Sequence, residues 1–276
     1  MSKQRDKRTI ASWDLWLYLF LALLLLLFAL FAGYLAPYDP LEAHYDHMLE
    51  PPSSDFLLGT DQLGRDLLSR ILYGGRTSLL MAFVVTLIVS AVGTLTGTAA
   101  GFFGGIADAA IMRISDVLMT FPGSIFILAL ISVLGTGLPN LIIAMTFTGW
   151  THYARISRSL VLSVKHHDYI EQARLGGAGT FRILLYYIIP NVVPTLLVLI
   201  VQDIGGKLLT IAGLSLLGLG TQPPTPEWGF MLSEGKNYMT LAPWMLFYPG
   251  LTILVNVIVF NLLGDSLRDR MDPETY

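Results

Sequence analysis

The sequence predicts an all-α polytopic membrane protein with six transmembrane helices, and three observations carry that prediction. Only 13% of the 276 residues are charged while 54% are hydrophobic, about half the charge that a soluble surface facing water carries. Uncharged stretches long enough to span a bilayer recur along the chain. The basic residues between those stretches crowd onto alternate connections. The chain has no cysteine, which excludes disulfide scaffolds and thiolate metal sites.

Residues 1–12 read as a tail carrying Lys3, Arg5, Lys7 and Arg8. Residues 13–35 form the first span, whose 21 uncharged positions from Leu15 to Leu35 exceed the apolar core of a signal peptide. No small-residue cleavage site follows, so the segment is expected to be retained. Residues 36–78 read as an external loop, acidic through Asp39, Glu42, Asp46, Glu50, Asp55, Asp61 and Asp66.

Residues 79–264 then hold five further spans. Thr77 to Ala107 is free of charge and gives the second. Val117 to Ala154 offers 38 positions without Asp, Glu, Lys or Arg; as one helix it would measure about 57 Å, nearly twice the hydrocarbon thickness. Two spans are therefore expected, parted by the turn Gly135-Thr136-Gly137-Leu138-Pro139-Asn140. Ile183 to Gln202, extending to Gly220, is the fifth and Leu241 to Gly264 the sixth. Residues 265–276 form the C-terminal tail.

Six spans place both termini on one side. With that side inside, twelve basic residues lie in cytoplasmic segments and four in external ones, a strong positive-inside bias. The expected location is the bacterial cytoplasmic (inner) membrane.

Several residue groups invite functional readings. Gly93, Gly97 and Gly101, four apart, line one face of the second span and would let another backbone approach closely, either as a seam in a moving bundle or as ordinary packing. Asp203 and Lys207, also four apart, share a helix face deep in an apolar stretch. They are expected to pair, either as a structural bridge or along a translocation path. Asn256 and Asn261 of the last span are expected to hydrogen-bond between helices. His44 and His47, with Asp46, are weak candidates for a metal site, since two imidazoles and one carboxylate rarely suffice.

The connection from about 160 to 182 is the longest on the cytoplasmic side. Asp168 is expected to N-cap a short helix, with Glu171 completing a capping box. Gly176, Gly177 and Gly179 would stop it and turn the chain, and Thr180 would cap the next helix. The product is a helical knob suited to a groove on a partner.

Glu171, Ala173, Gly177, Ile188, Pro190 and Asn191 resemble the spaced signature of ABC importer permeases, with Gln172 in place of the second alanine and Ile189 where leucine is usual. Leu58-Gly59-Thr60-Asp61-Gln62-Leu63-Gly64-Arg65-Asp66 resembles the external motif of the dipeptide, oligopeptide and nickel branch. So do Arg76-Thr77-Ser78-Leu79, Met112-Arg113 with Asp116, Phe121-Pro122, Leu214 to Gly220 with Gln222 to Gly229, and Asn261 to Asp269 with Asp272-Pro273. The resemblance spans residues 13 to 273 and is closest to the C-type subunit. Phe121-Pro122, Val133 to Leu138 and Asp203-Ile204-Gly205 look most like nickel or metal–metallophore permeases, with dipeptide or oligopeptide permeases as the alternative.

The resemblance implies a coupling helix in which Asp168, Glu171, Ala173, Gly177 and Ala178 contact an ATPase subunit. It implies a paralogous permease partner, two cytoplasmic ATPases and an extracytoplasmic binding protein as partners, and no nucleic acid. No G-x-x-x-x-G-K-[ST] phosphate loop occurs, so this chain is expected not to be an enzyme and to bind no cofactor directly; ATP and Mg belong to the partner subunits. An ion-coupled secondary transporter or channel is the alternative from another class. It would carry more ionisable residues within its spans.

Overall fold

In the computed structural model, residues 2–271 are described, with side chains from Trp13 onward. Asp272-Pro273 and the side chains of Lys3, Arg5, Lys7 and Arg8 lie outside the described residues. The helices run α1 (Ser2–Leu30), α2 (Ala32–Leu35), α3 (Leu67–Phe103), α4 (Gly105–Met119), α5 (Gly123–Leu134), α6 (Leu138–Lys165), α7 (Asp168–Leu175), α8 (Thr180–Ile183), α9 (Ile189–Leu216), α10 (Trp228–Gly235) and α11 (Trp244–Met271).

By length and composition, Trp13–Leu30, Leu67–Phe103, Thr180–Leu216 and Trp244–Met271 can each cross a membrane. Helices α4 and α5, bent by 88° about a short break, make a fifth crossing if taken together. The chain thus has four to five strongly apolar spans. Helix α6 is long enough, at about 42 Å, but its polar residues keep it out of that set: Thr151 and Ser157 are buried, and Thr148 and Thr151 return their hydroxyls to carbonyls of their own helix.

Three boundaries differ from the sequence expectation. Helix α3 begins at Leu67, well before Thr77, because Arg70 sits inside it at 1% side-chain exposure, paired with acids rather than with water. A search for uncharged runs passes over such a residue. The third span is not one straight helix from Val117, because the chain breaks at Phe121-Pro122 between α4 and α5; proline disfavours helical geometry in the residue before it. The entry to α9 passes through a π-helical turn at Leu184–Ile188, just before Pro190, which has no N–H to give. The turn between α5 and α6 is as expected, with Gly135 at φ +90° and Gly137 at φ +126°.

The chain divides into two compact units. One comprises Met1–Val84, Leu134–Leu141 and Val201–Tyr276. In it α1 and α10 both pack on α11, and Phe83 meets Phe260 edge-on at 5.7 Å. Helices α9 and α11 approach through glycines: a Cβ on Gly264 would stand 2.2 Å from Gln202 Cγ, and one on Gly205 would stand 3.2 Å from the Val257 carbonyl. Asn256 does not bridge helices; its amide donates to Thr252 O of its own helix at 2.9 Å. The other unit comprises Val85–Val133 and Ile142–Ile200, and its seam is the contact of α3 with α6. Outward positions such as Leu87 and Leu95 stay exposed, as lipid-facing residues would.

Candidate functional site

The knob predicted between 160 and 182 is α7 and the turn after it. Helix α7 begins at Asp168, with His167 at the N-cap position and no side-chain capping bond. The expected capping box is therefore absent. Asp168 and Glu171 instead both lie in the first turn, where carboxylates oppose the positive end of the helix dipole. Thr180 likewise does not cap α8, which has Gly179 at that position.

The exit of α7 explains three of the motif residues physically. Ala178 N–H donates to Ala173 O at 3.0 Å and Gly177 N–H to Arg174 O at 3.0 Å, the paired bonds of a Schellman motif. That motif requires a left-handed residue, and Gly177 supplies it at φ +83°. Of the three glycines here, only Gly177 needs its conformational freedom. Ala173, Gly177 and Ala178 thus form one turn, with Ile170 fully buried beneath it and Leu175 89% exposed beyond it. The next segment carries exposed Phe181, Leu185 and Tyr186, which with Arg182 and Tyr187 line an open cavity of about 560 Å³.

The helix leading into this knob is tied to its neighbours by charge. Arg158 grips Asp108 of α4 through two nitrogens, Nη2 to Oδ2 at 2.6 Å, and Arg155 pairs with Asp116, about two turns further along α4. Lys165 donates to Phe102 O at 2.6 Å, a cation on the carbonyl end of α3. Sequence reading marked Asp116 only through a motif and missed Asp108 and Arg158. Their separation of 50 residues leaves no local signal.

Gly93, Gly97 and Gly101 lie against α6. A Cβ on Gly93 would lie 2.4 Å from Trp150 O, one on Gly97 2.1 Å from Ala154 O, and one on Gly101 2.9 Å from Arg158 O. Asp203 and Lys207 pair, Nζ to Oδ2 at 3.0 Å, with side chains 26% and 18% exposed. His44 and His47 do not converge on a metal site: His47 Nδ1 meets Glu50 Oε1 at 3.0 Å. Among the described residues no group of three or more His, Asp or Glu is placed to hold a metal.

Loop 36–66 is closed by a charged cluster that the sequence did not announce. Arg65 Nε reaches Asp61 Oδ2 at 2.6 Å, Arg70 Nη1 reaches the same oxygen at 2.6 Å, and the Nη2 of each arginine takes Glu234 of α10, at 3.0 and 2.7 Å. Burial pushes the carboxyls of Asp61 and Glu234 up, against the pull of the Arg65 guanidinium on both. Glu227 caps α10 by accepting from Gly229 and Phe230 N–H at 2.8 Å and takes the Ser78 hydroxyl at 3.2 Å. Trp228 Nε1 donates to Ile71 O at 2.8 Å. Together these bonds fasten α10 to the start of α3.

The family model described as "Binding-protein-dependent transport system inner membrane component" matches residues 93–275, a range that contains the α3–α6 seam and the Schellman turn. The chain belongs to that family. It is the permease subunit of an ABC importer, which sets aside the ion-coupled transporter or channel. The permease is 42% identical over 263 residues to the nickel transport system permease protein NikC of Escherichia coli (strain K12), covering 95% of each chain. It is 43% identical over 258 residues to the di/tripeptide transport system permease protein DppC of Pseudomonas aeruginosa (strain UCBPP-PA14), covering 91% of this chain and 85% of that one. With the glutathione transport system permease protein GsiD of Pectobacterium atrosepticum it shares 44% identity over 253 residues, 91% of this chain and 84% of the other. Its fold resembles a chain of the MetNI methionine ABC transporter in an inward-facing conformation, with a TM-score of 0.58 at 18% identity, covering 73% of this permease and 96% of that chain.

Proposed function

We propose that this permease carries nickel, as the ion or a metal–metallophore complex, inward across the bacterial inner membrane. The observation that supports the cargo is the likeness to NikC, which covers 95% of both chains, against 91% of this chain for the di/tripeptide and glutathione permeases. Peptide is the second reading, favoured by 43% identity to the di/tripeptide permease. Uptake separates them: cells with this permease as their sole candidate importer accumulate nickel, and excess dipeptide leaves that uptake unchanged. Accumulation of labelled dipeptide, with no nickel accumulation, would move the assignment to peptides.

In this reading the chain crosses the membrane six times, α6 included, with both termini in the cytoplasm. It pairs with a paralogous permease and receives cargo from an extracytoplasmic binding protein. It has no ATP-binding site of its own and rests on two ATPase subunits that use ATP and Mg. Asp168, Glu171, Ala173, Gly177 and Ala178 form the docking turn for an ATPase. The exposed Leu175 supports this, since an apolar side chain held out to solvent on a helix suits a partner groove. The Asp203–Lys207 pair is structural, joining two charges within α9 so that neither faces the apolar surroundings alone.

A further inference from the structure

Asp61, Arg65, Arg70 and Glu234 bring two cations and two anions together at side-chain exposures of 2%, 6%, 1% and 15%. Buried ion clusters stabilise a fold poorly compared with apolar packing of the same volume. Their directional bonds can instead distinguish one arrangement from another. Here the bonding is also incomplete. Arg70 uses Nη1 on Asp61 and Nη2 on Glu234, and its buried Nε has no partner. Asp66 uses Oδ2 for the N–H and hydroxyl of Ser69 at 2.8 and 2.6 Å, and its buried Oδ1 has none. Arg70 N–H donates to Asp66 O at 3.1 Å, so the two residues stand one helical turn apart. An unused cationic donor and an unused anionic acceptor thus belong to residues four apart at the start of α3.

The remaining members tie different segments together. Glu234 belongs to α10, and it also accepts from Gln62 Nε2 at 2.6 Å. Trp244, at the start of α11, donates to Thr60 O at 3.1 Å. Withdrawal of α10 would take Glu234 from Arg70, and Asp66 Oδ1 is a free acceptor within the same turn of helix.

The geometry points to a two-position arginine latch. Arg70 holds α10 to the 61–65 turn while its Nη2 is on Glu234, and exchanges Glu234 for Asp66 when α10 moves away. Packed elements with two discrete bonding patterns are the means by which small displacements become switches. The latch goes beyond the importer assignment and does not depend on the cargo.

A thiol reporter tests it, since the chain has no cysteine of its own. Gln62→Cys is introduced into the full complex in lipid nanodiscs, where both faces are open to reagent, and its rate of alkylation by a maleimide is measured. Glu234→Gln, which weakens the latched position, should raise that rate about three- to tenfold. Asp66→Asn, which weakens only the alternative position and keeps an oxygen to cap α3, should lower it by a similar factor. Should Glu234→Gln not assemble, Glu234→Asp, one methylene short, carries the same expectation. Rates that move in the same direction in the two variants, or that move in neither, overturn the latch. Nickel uptake is scored separately, so a wrong cargo leaves the alkylation result intact.

Discussion

Gly97 and Ala154 meet so closely that a Cβ on Gly97 would stand 2.1 Å from the Ala154 carbonyl oxygen and 2.7 Å from its Cα. Backbone lies against backbone there, and neither side can yield by turning a side chain. Gly93 and Gly101 extend the contact a turn in each direction, so α3 and α6 are joined by main chain along three successive turns.

Gly97→Leu should therefore force the helices apart and destabilise the permease by about 1–3 kcal/mol or more, the range for overpacking. Gly123→Ala is the control, because a Cβ there meets nothing within 4 Å. Thermal unfolding of the two variants in detergent checks this. Equal melting temperatures would show that the seam tolerates separation.

Much of the fold was legible because its signals are local. Charge-free runs located the apolar spans, and glycines four apart located the seam. The spacing of Glu171, Ala173 and Gly177 located the knob. What escaped depends on distant partners or on backbone detail. Arg70 reads as a loop residue because a charge argues against a span, yet Asp61 and Glu234, the latter 164 residues away, let it sit inside a helix. The capping box failed because one carboxylate can serve as a cap or as a first-turn anion, and the sequence Asp168-Tyr169-Ile170-Glu171 fits both. Asn256 turns its amide to its own helix, an option open to any asparagine whose side chain lies over the carbonyl one turn back, which has a second lone pair to offer.

Gly177→Asn and Gly177→Arg separate conformation from docking. A Cβ at Gly177 meets nothing within the permease, so substitution acts through the positive φ or through a partner. Asparagine tolerates the left-handed region and should retain most ATPase binding. Arginine adds strain of about 1–2 kcal/mol and a bulky charge, and should insert normally while losing ATPase recruitment. Co-purification of the ATPase with each variant gives the answer. Full recruitment by Gly177→Arg would remove the docking role of this turn.

Single and double neutralisation should differ at Asp203 and Lys207. Asp203→Asn leaves Lys207 without its carboxylate in an apolar stretch, a penalty of about 2.5–3.5 kcal/mol on insertion scales, and should reduce the amount of assembled permease. Adding Lys207→Gln removes the stranded charge, restoring assembly and nearly normal uptake. A well-assembled double variant with little uptake would place the pair on the translocation path instead.

Topology can be read with thiols in this cysteine-free chain. Ser54→Cys, exposed in loop 36–66, should react with an impermeant reagent added to intact spheroplasts. Ser163→Cys, exposed near the end of α6, should react only after the membrane is opened. The reverse order would invert the six-span arrangement with both termini inside.

The most direct measurement takes the purified chain, alone and then with its paralogous permease, both ATPases and the binding protein in sealed proteoliposomes, and follows ATP hydrolysis together with nickel entry. The expected result is no hydrolysis by the chain alone, and in the full assembly nickel uptake that requires ATP and is lost with Gly177→Arg. Nickel entry through the chain without ATPase subunits, or an assembly that hydrolyses ATP at the same rate with Gly177→Arg, would contradict it.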